Sequence, residues 1–218
     1  ECRGFTQCGV GSMSSVLNRP EAAVGNLTGL IDSVITPNGM YGEMVYQSNP
    51  DEFSPVSESA YCGAGVLHTM LLHTSPSTGV LRIFPGIPSS IDSAWADVAF
   101  HRLRASGGLL VSAHRIAGET DFIRIEAEQE GDYLIQVASE HAWAQMTPHA
   151  LPDSIQVSKP AVGLGVSTGV WSVKLAVGQH VVLYPASKSK PSLEISPLIG
   201  NSSEYNWFGF RRQMQPLH

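Results

Sequence analysis

The apolar spacing of this chain changes period near residue 78, from helical before it to strand-like after it, and that switch bounds what the chain can fold into. Upstream, Ala23, Leu27, Leu30, Ile31 and Val34 recur at intervals of four, three, one and three, which places them on one helical face. Pro20 sits near the start of that run and Thr36-Pro37-Asn38-Gly39 stops it, as the asymmetry of helix ends predicts. A second helix is predicted to begin near Ser57 and to run to about His73. Its inner stripe is Ala60, Ala64, Leu67 and Leu71, widened by Val66, Met70 and Leu72. A helix apolar on most of its circumference is buried in a larger assembly. Residues 20–73 are therefore expected to form an antiparallel helix pair packed against helices outside this chain.

Downstream, seven short β-rich runs follow: Val80 to Phe84, Val98 to Arg104, Leu109 to Arg115, Phe122 to Ala127, Tyr133 to Val137, Val170 to Ala176 and Gln179 to Tyr184. Glycine-containing breaks separate many of them, among them Ser106-Gly107-Gly108, Ala117-Gly118-Glu119 and Glu130-Gly131-Asp132. Short strands with turn signals between them predict an antiparallel β-sandwich. Ile123, Ile125 and Ala127 alternate with Arg124 and Glu126, so the core is expected to hold Ile123, Ile125, Leu134 and Val181. The fold class is α+β, with a helical part over residues 1–77, a sandwich over 78–186 and a tail over 187–218.

Composition narrows the function classes. Of 218 residues, 43% are hydrophobic and 15% charged, against roughly 25% charged in an average soluble protein. Low charge with strong apolar content argues against intrinsic disorder. No run reaches the ~18 apolar residues of a membrane-spanning helix. The net charge of −6, without Lys/Arg clusters, argues against a nucleic-acid partner, and no membrane partner is expected. The chain begins at Glu1 with neither an initiator Met nor a signal peptide, and is read as a processed chain, an expressed domain or a fragment of a larger protein.

Three cysteines, Cys2, Cys8 and Cys62, cannot all pair internally: Cys2 and Cys8 close a small loop, or either meets Cys62 in space. No signature of a nucleophilic cysteine surrounds Cys62. The sequons at Asn26 (Asn26-Leu27-Thr28) and Asn201 (Asn201-Ser202-Ser203) fit a secreted, extracellular glycoprotein. His68 and His73 are five apart, not the four that puts two metal ligands on one helical face, and His101 and His114 lie in separate strands, so no metal and no cofactor is expected. No Ser-His-Asp arrangement, phosphate-binding loop or dinucleotide fingerprint is present, and Trp143, Trp171 and Trp207 are read first as sandwich packing. Between the helices a long irregular loop, residues 38–56, gathers Glu43, Gln47, Asn49, Asp51 and Glu52, and long loops inside compact proteins are often functional.

Several segments taken in order resemble a known family. They are Asn38-Gly39-Met40-Tyr41-Gly42-Glu43, Ser54-Pro55-Val56-Ser57-Glu58-Ser59, Met70-Leu71-Leu72-His73, Gly79-Val80-Leu81-Arg82-Ile83-Phe84-Pro85-Gly86-Ile87-Pro88, Trp95-Ala96-Asp97-Val98-Ala99-Phe100 and Leu103-Arg104-Ala105-Ser106-Gly107-Gly108. Together they resemble the end of a six-hairpin, (α/α)6-toroid glycosidase, nearest to glycoside hydrolase family 95, the α-L-fucosidase/α-L-galactosidase-like group. The resemblance covers residues 31–125 and is most specific over 79–108. It implies that the helices are the last of the toroid and that the strands form the C-terminal sandwich. It also implies an inverting mechanism with two carboxyl groups, one protonating the leaving oxygen and one activating water. Glu58 falls where the fucosidases carry their base Asp, and Ala60 replaces the Asn that follows in that motif. The general acid lies upstream, outside this chain.

Two hypotheses follow from the resemblance. In the first, the chain is the C-terminal portion of a secreted glycosidase, with Glu58 catalytic and Tyr41, Glu43 and Tyr61 contacting carbohydrate. Its partner is then the N-terminal remainder of the same protein, or another chain that completes the toroid, and this chain alone is inactive. In the second it is a non-catalytic carbohydrate-binding or structural module of an extracellular assembly, which the Glu in place of Asp favours. The structural role of Glu58, stabilising the exposed N–H groups of a helix start, stands beside both.

Overall fold

The computed structural model describes residues 5–34, 41–43, 54–56, 58–136, 143–146, 157–158, 169–189 and 191–196, with side chains over 6–31, 61–136, 169–189 and 191–196. In chain order the elements are α1 (Phe5–Val16), α2 (Pro20–Val34), β1 (Tyr41–Glu43), β2 (Ser54–Val56), α3 (Glu58–Leu71), β3 (Leu72–Thr74), β4 (Val80–Ile83), β5 (Val98–Ala105), β6 (Leu109–Ile116), β7 (Glu119–Ala127), β8 (Gly131–Gln136), β9 (Trp143–Met146), β10 (Val157–Ser158), β11 (Val170–Leu175) and β12 (His180–Pro185). The fold is α+β. It divides into two units, the first running to Met70 and the second spanning Leu71–Ile195. The division precedes the expected boundary at residues 77/78 because Leu72, His73 and Thr74 pair with Ile83, Arg82 and Leu81 and so belong to a sheet.

In the first unit the expected helix pair is preceded by a third helix, α1. Its buried stripe is Cys8, Gly11, Ser14 and Ser15, while Met13 and Val16 are exposed. The stripe has helical spacing but is made of small and polar residues, so an apolar-periodicity reading passes over it. Ser15 satisfies its buried hydroxyl within the helix, donating to the Gly11 carbonyl at 3.0 Å. The helix ends in a Schellman turn: Asn18 takes φ 58°, Arg19 N–H donates to Ser14 O at 2.8 Å and Asn18 N–H to Ser15 O at 3.2 Å. The Arg19 carbonyl then accepts from Ala23 N–H at 3.0 Å, which makes Pro20 the first helical residue of α2, where its missing N–H costs nothing.

Helix α2 buries Ala23, Leu27 and Leu30, as its spacing predicts, but Ile31 points outward and is exposed. Helix α3 buries Leu71 of its expected inner stripe together with the widening residues Val66 and Met70 and with Gly63, whereas Ala64 and Leu67 are exposed and the side chain of Ala60 lies outside the described residues. It stops at Leu71, short of His73, where the chain passes directly into β3. A methyl group placed on Gly11 would lie 2.9 Å from Val66 Cγ1, and one on Gly63 would lie 2.9 Å from Leu30 Cδ2. Both glycines therefore mark places where helix surfaces meet without room for a side chain.

In the second unit all seven expected strands form, within two sheets of order β10-β11-β8-β4-β3 and β5-β6-β7-β12-β9. Among the described residues every pairing is antiparallel except one. Strand β4 runs parallel to β8, contrary to the all-antiparallel expectation. Parallel neighbours need a long crossover, and here residues between Ile83 and Gly131 build β5, β6 and β7 before the chain returns. Ile123, Ile125, Ala127 and Val181 are buried as expected, with Arg124 and Glu126 on the other face of β7. Leu134 is only half-buried, and its neighbour Ile135 is the core residue of β8. Strand period two makes such a one-residue offset an exchange of faces.

The segment joining β4 to β5 is irregular yet well sealed, with residues 84–88 all buried. The Arg115 guanidinium lies 4.8 Å from the Phe84 ring centre and donates to the carbonyls of Ile87 at 3.0 Å and Pro88 at 3.2 Å. Phe84 also meets Phe100 edge-on at 5.4 Å. Gly118, in the turn between β6 and β7 and at φ 79°, donates to the Ala96 carbonyl of this segment, and a Cβ there would lie 2.2 Å from Ser89 O. Only glycine fits that position.

Candidate functional site

Four of the residues singled out from sequence, Tyr41, Glu43, Glu58 and Tyr61, lie on the β1–β2 ribbon and in the first turn of α3. Glu58 is the first residue of that helix. The expected loop of residues 38–56 contains a short ribbon in which Tyr41 pairs with Val56, Gly42 with Pro55 and Glu43 with Ser54. Tyr41 thus stands opposite a residue two positions before Glu58, and Tyr41 and Glu43, two apart on one strand, share a face of the ribbon. Tyr61 follows Glu58 by three positions and is 75% exposed. The side chains of Tyr41, Glu43 and Glu58 lie outside the described residues, as do Gln47, Asn49, Asp51 and Glu52.

This juxtaposition has a local cause. Residues 54–56 are extended because Pro55 fixes its own φ and pushes the residue before it out of the helical region. The helix then begins at Glu58, where four backbone N–H groups lack intrahelical partners and a carboxylate is electrostatically favoured. The ribbon therefore places Tyr41 and Glu43, by backbone register, within a few residues of Glu58 and the first turn of α3.

Other candidates separate. His101 Nδ1 lies 3.4 Å from Ser112 Oγ, while His114 Nδ1 lies 3.7 Å from Asp121 Oδ2. Two different histidines are involved, and Ser112 Oγ also accepts from the Arg102 N–H at 3.0 Å, so the serine is held by the β-bulge of β5. Among the described residues no three His, Cys, Asp or Glu side chains gather where they would hold a metal ion, and no helix is long and apolar enough to cross a membrane. Asn26 lies within α2, half-buried, with its amide nitrogen donating to the Ala22 carbonyl at 2.7 Å. Asn201 lies outside the described residues, as do the side chains of Trp143 and Trp207, whereas Trp171 is half-buried in β11.

Two features of the structure were not singled out from sequence. Arg115 is largely buried, with two carbonyls and an aromatic face as partners, and burial pushes its pKa down to about 10. Nothing in the spacing of β6 distinguishes it from a solvated strand arginine. The second is the meeting of Cys8 with Cys62: burial and the neighbouring Cys62 thiol together push the Cys8 pKa up to about 12. Sequence left that pairing open beside Cys2.

Compared with protein-family models and with curated proteins, the chain matches none.

Proposed function

We propose that this chain is the C-terminal portion of a secreted glycoside hydrolase-like protein and that Glu58 is the base of an inverting glycosidase cleft. The observation that carries the reading is the β1–β2 ribbon, which brings the Tyr41–Glu43 strand alongside the residues leading into Glu58 at the mouth of α3. In this reading α1 to α3 close a toroid and the two five-stranded sheets are its C-terminal sandwich. The contact of Phe84, just after β4, with Phe100 of β5 supports the sandwich, because it joins strands of different sheets.

The chemistry assigns each group one task. Glu58, ionised beside the free N–H groups of the helix start, takes a proton from water as the oxygen attacks the anomeric carbon. An acid from outside this chain protonates the departing oxygen, and attack from the opposite face inverts the centre. Tyr61, largely exposed one turn into α3, offers a ring face to the sugar, and Tyr41 and Glu43 hold its hydroxyls.

A second reading, a carbohydrate-binding module without turnover, is favoured by Glu58 and Ala60 standing where the resembled motif has Asp and Asn. Proton NMR of the first sugar released from an aryl α-L-fucoside or α-L-galactoside by the intact protein separates the two. Initial appearance of the β-anomer supports the hydrolase. Saturable sugar binding without release, weakened by Tyr61→Ala, supports the module.

A further inference from the structure

We infer that Cys8 and Cys62 form a disulfide that ties α1 to α3. The packing of the first unit leads to it. Gly11 of α1 lies against Val66 of α3, with 2.9 Å from an added Cβ to Val66 Cγ1. One turn back along α1 is Cys8, and one turn back along α3 is Cys62. The Cys62 thiol is the neighbouring group that, with burial, raises the Cys8 pKa, which puts the two side chains beside each other. Gly11, one turn from Cys8, lacks the side chain that would hold α1 and α3 apart, while Gly63, next to Cys62, lets α3 approach Leu30 of α2. The structure holds both residues as thiols. A disulfide needs Cβ atoms about 3.5–4.5 Å apart, a separation set by how closely the backbones of α1 and α3 approach, with χ1 rotation then bringing the two sulfurs together.

The two sulfurs differ in access, and that sets the order of steps. Cys8 is 1% exposed, and burial together with the neighbouring Cys62 thiol pushes its pKa up to about 12. Cys62 is half-buried and within reach of a small reagent. With a low-molecular-weight disulfide RS–SR as oxidant, the Cys62 thiolate attacks one sulfur, the S–S bond breaks and RS⁻ leaves with the electron pair. Cys8 then gives up its proton to the departing thiolate and attacks Cys62 Sγ in the mixed disulfide, expelling the second RS⁻, which is protonated by the solvent proton that Cys62 released. Two protein thiols lose two electrons, and one RS–SR becomes two RSH. The closed loop contains the β1–β2 ribbon and Glu58, so the bond confines the chain around the candidate site, although the inference does not depend on what that site does.

The experiment uses the full chain with all three cysteines, incubated in buffers of oxidised and reduced glutathione, acid-quenched, alkylated and digested without reduction for mass spectrometry. The expected product is a Cys8–Cys62 cross-linked peptide, formed equally in Cys2→Ser and absent in Cys62→Ser. Circular dichroism melting should show the oxidised chain unfolding at a higher temperature than the reduced one, with the difference abolished by dithiothreitol. A predominant Cys2–Cys8 or Cys2–Cys62 peptide overturns the inference. So does glutathione retained on Cys62 while Cys8 is recovered alkylated.

Discussion

His73 of β3 stands directly opposite Arg82 of β4, and its Nε2 is buried without a hydrogen-bond partner among the described residues. Burial, and then the positive charge of Arg82, hold the imidazole below its ordinary pKa. As pH falls through about 6.5 the unfolded chain takes up this proton before the folded one does, so stability drops from there down to the lowered folded value. Denaturant titrations at pH 8 and pH 5 should therefore show a smaller acid loss in His73→Gln than in the parent chain. An equal loss in both removes His73 from the acid response.

The helical glycines divide by what surrounds them. An added Cβ meets nothing within 4 Å at Gly25 or Gly65, whereas at Gly11 it meets Val66, whose branched side chain is stiff. Gly25→Ala and Gly65→Ala should each raise stability by about 0.5–1 kcal/mol through lost chain entropy in the unfolded state. Gly11→Ala should lower it by about 1–3 kcal/mol through overpacking. Thermal melting followed at the helical circular dichroism band gives all three signs.

Arg115 holds the buried segment after β4 through two carbonyls and a ring face. Arg115→Ala leaves the Ile87 and Pro88 carbonyls without that donor and a gap beside Phe84. Relief of the buried charge offsets part of this, and the net loss should be about 2 kcal/mol. Urea unfolding of the full chain checks the value, and an unchanged midpoint contradicts the role.

What the sequence revealed follows the physics of burial. Alternation fixed the faces of β7, because Ile123 and Ile125 differ sharply in polarity from Arg124 and Glu126. Ala23, Leu27 and Leu30 exposed α2 in the same way. Helix α1 escaped because Cys8, Gly11, Ser14 and Ser15 bury a face whose value lies in small size. In α3 apolar residues lie on both sides, so polarity could not choose between the Leu67 and the Val66–Met70 stripes, and close approach at Gly63 chose. The ribbon pairing of Tyr41 with Val56 was illegible for a further reason: it joins two three-residue strands, too short for a period to register. The role of Arg115 depends on carbonyls 27 and 28 residues away, a relation that no local pattern carries.

The measurement that bears most directly on the proposed function is turnover of aryl α-L-fucosides and α-L-galactosides by the intact protein and by its Glu58→Gln variant. The substitution keeps the shape of the side chain and removes the base. The isolated chain should show no turnover, because inverting hydrolysis needs a second carboxyl group roughly 6.5–9.5 Å from the first. In the intact protein kcat should fall by about 10²–10⁴ in Glu58→Gln, with the melting temperature unchanged. Undiminished turnover in that variant contradicts the assignment of Glu58 as the base.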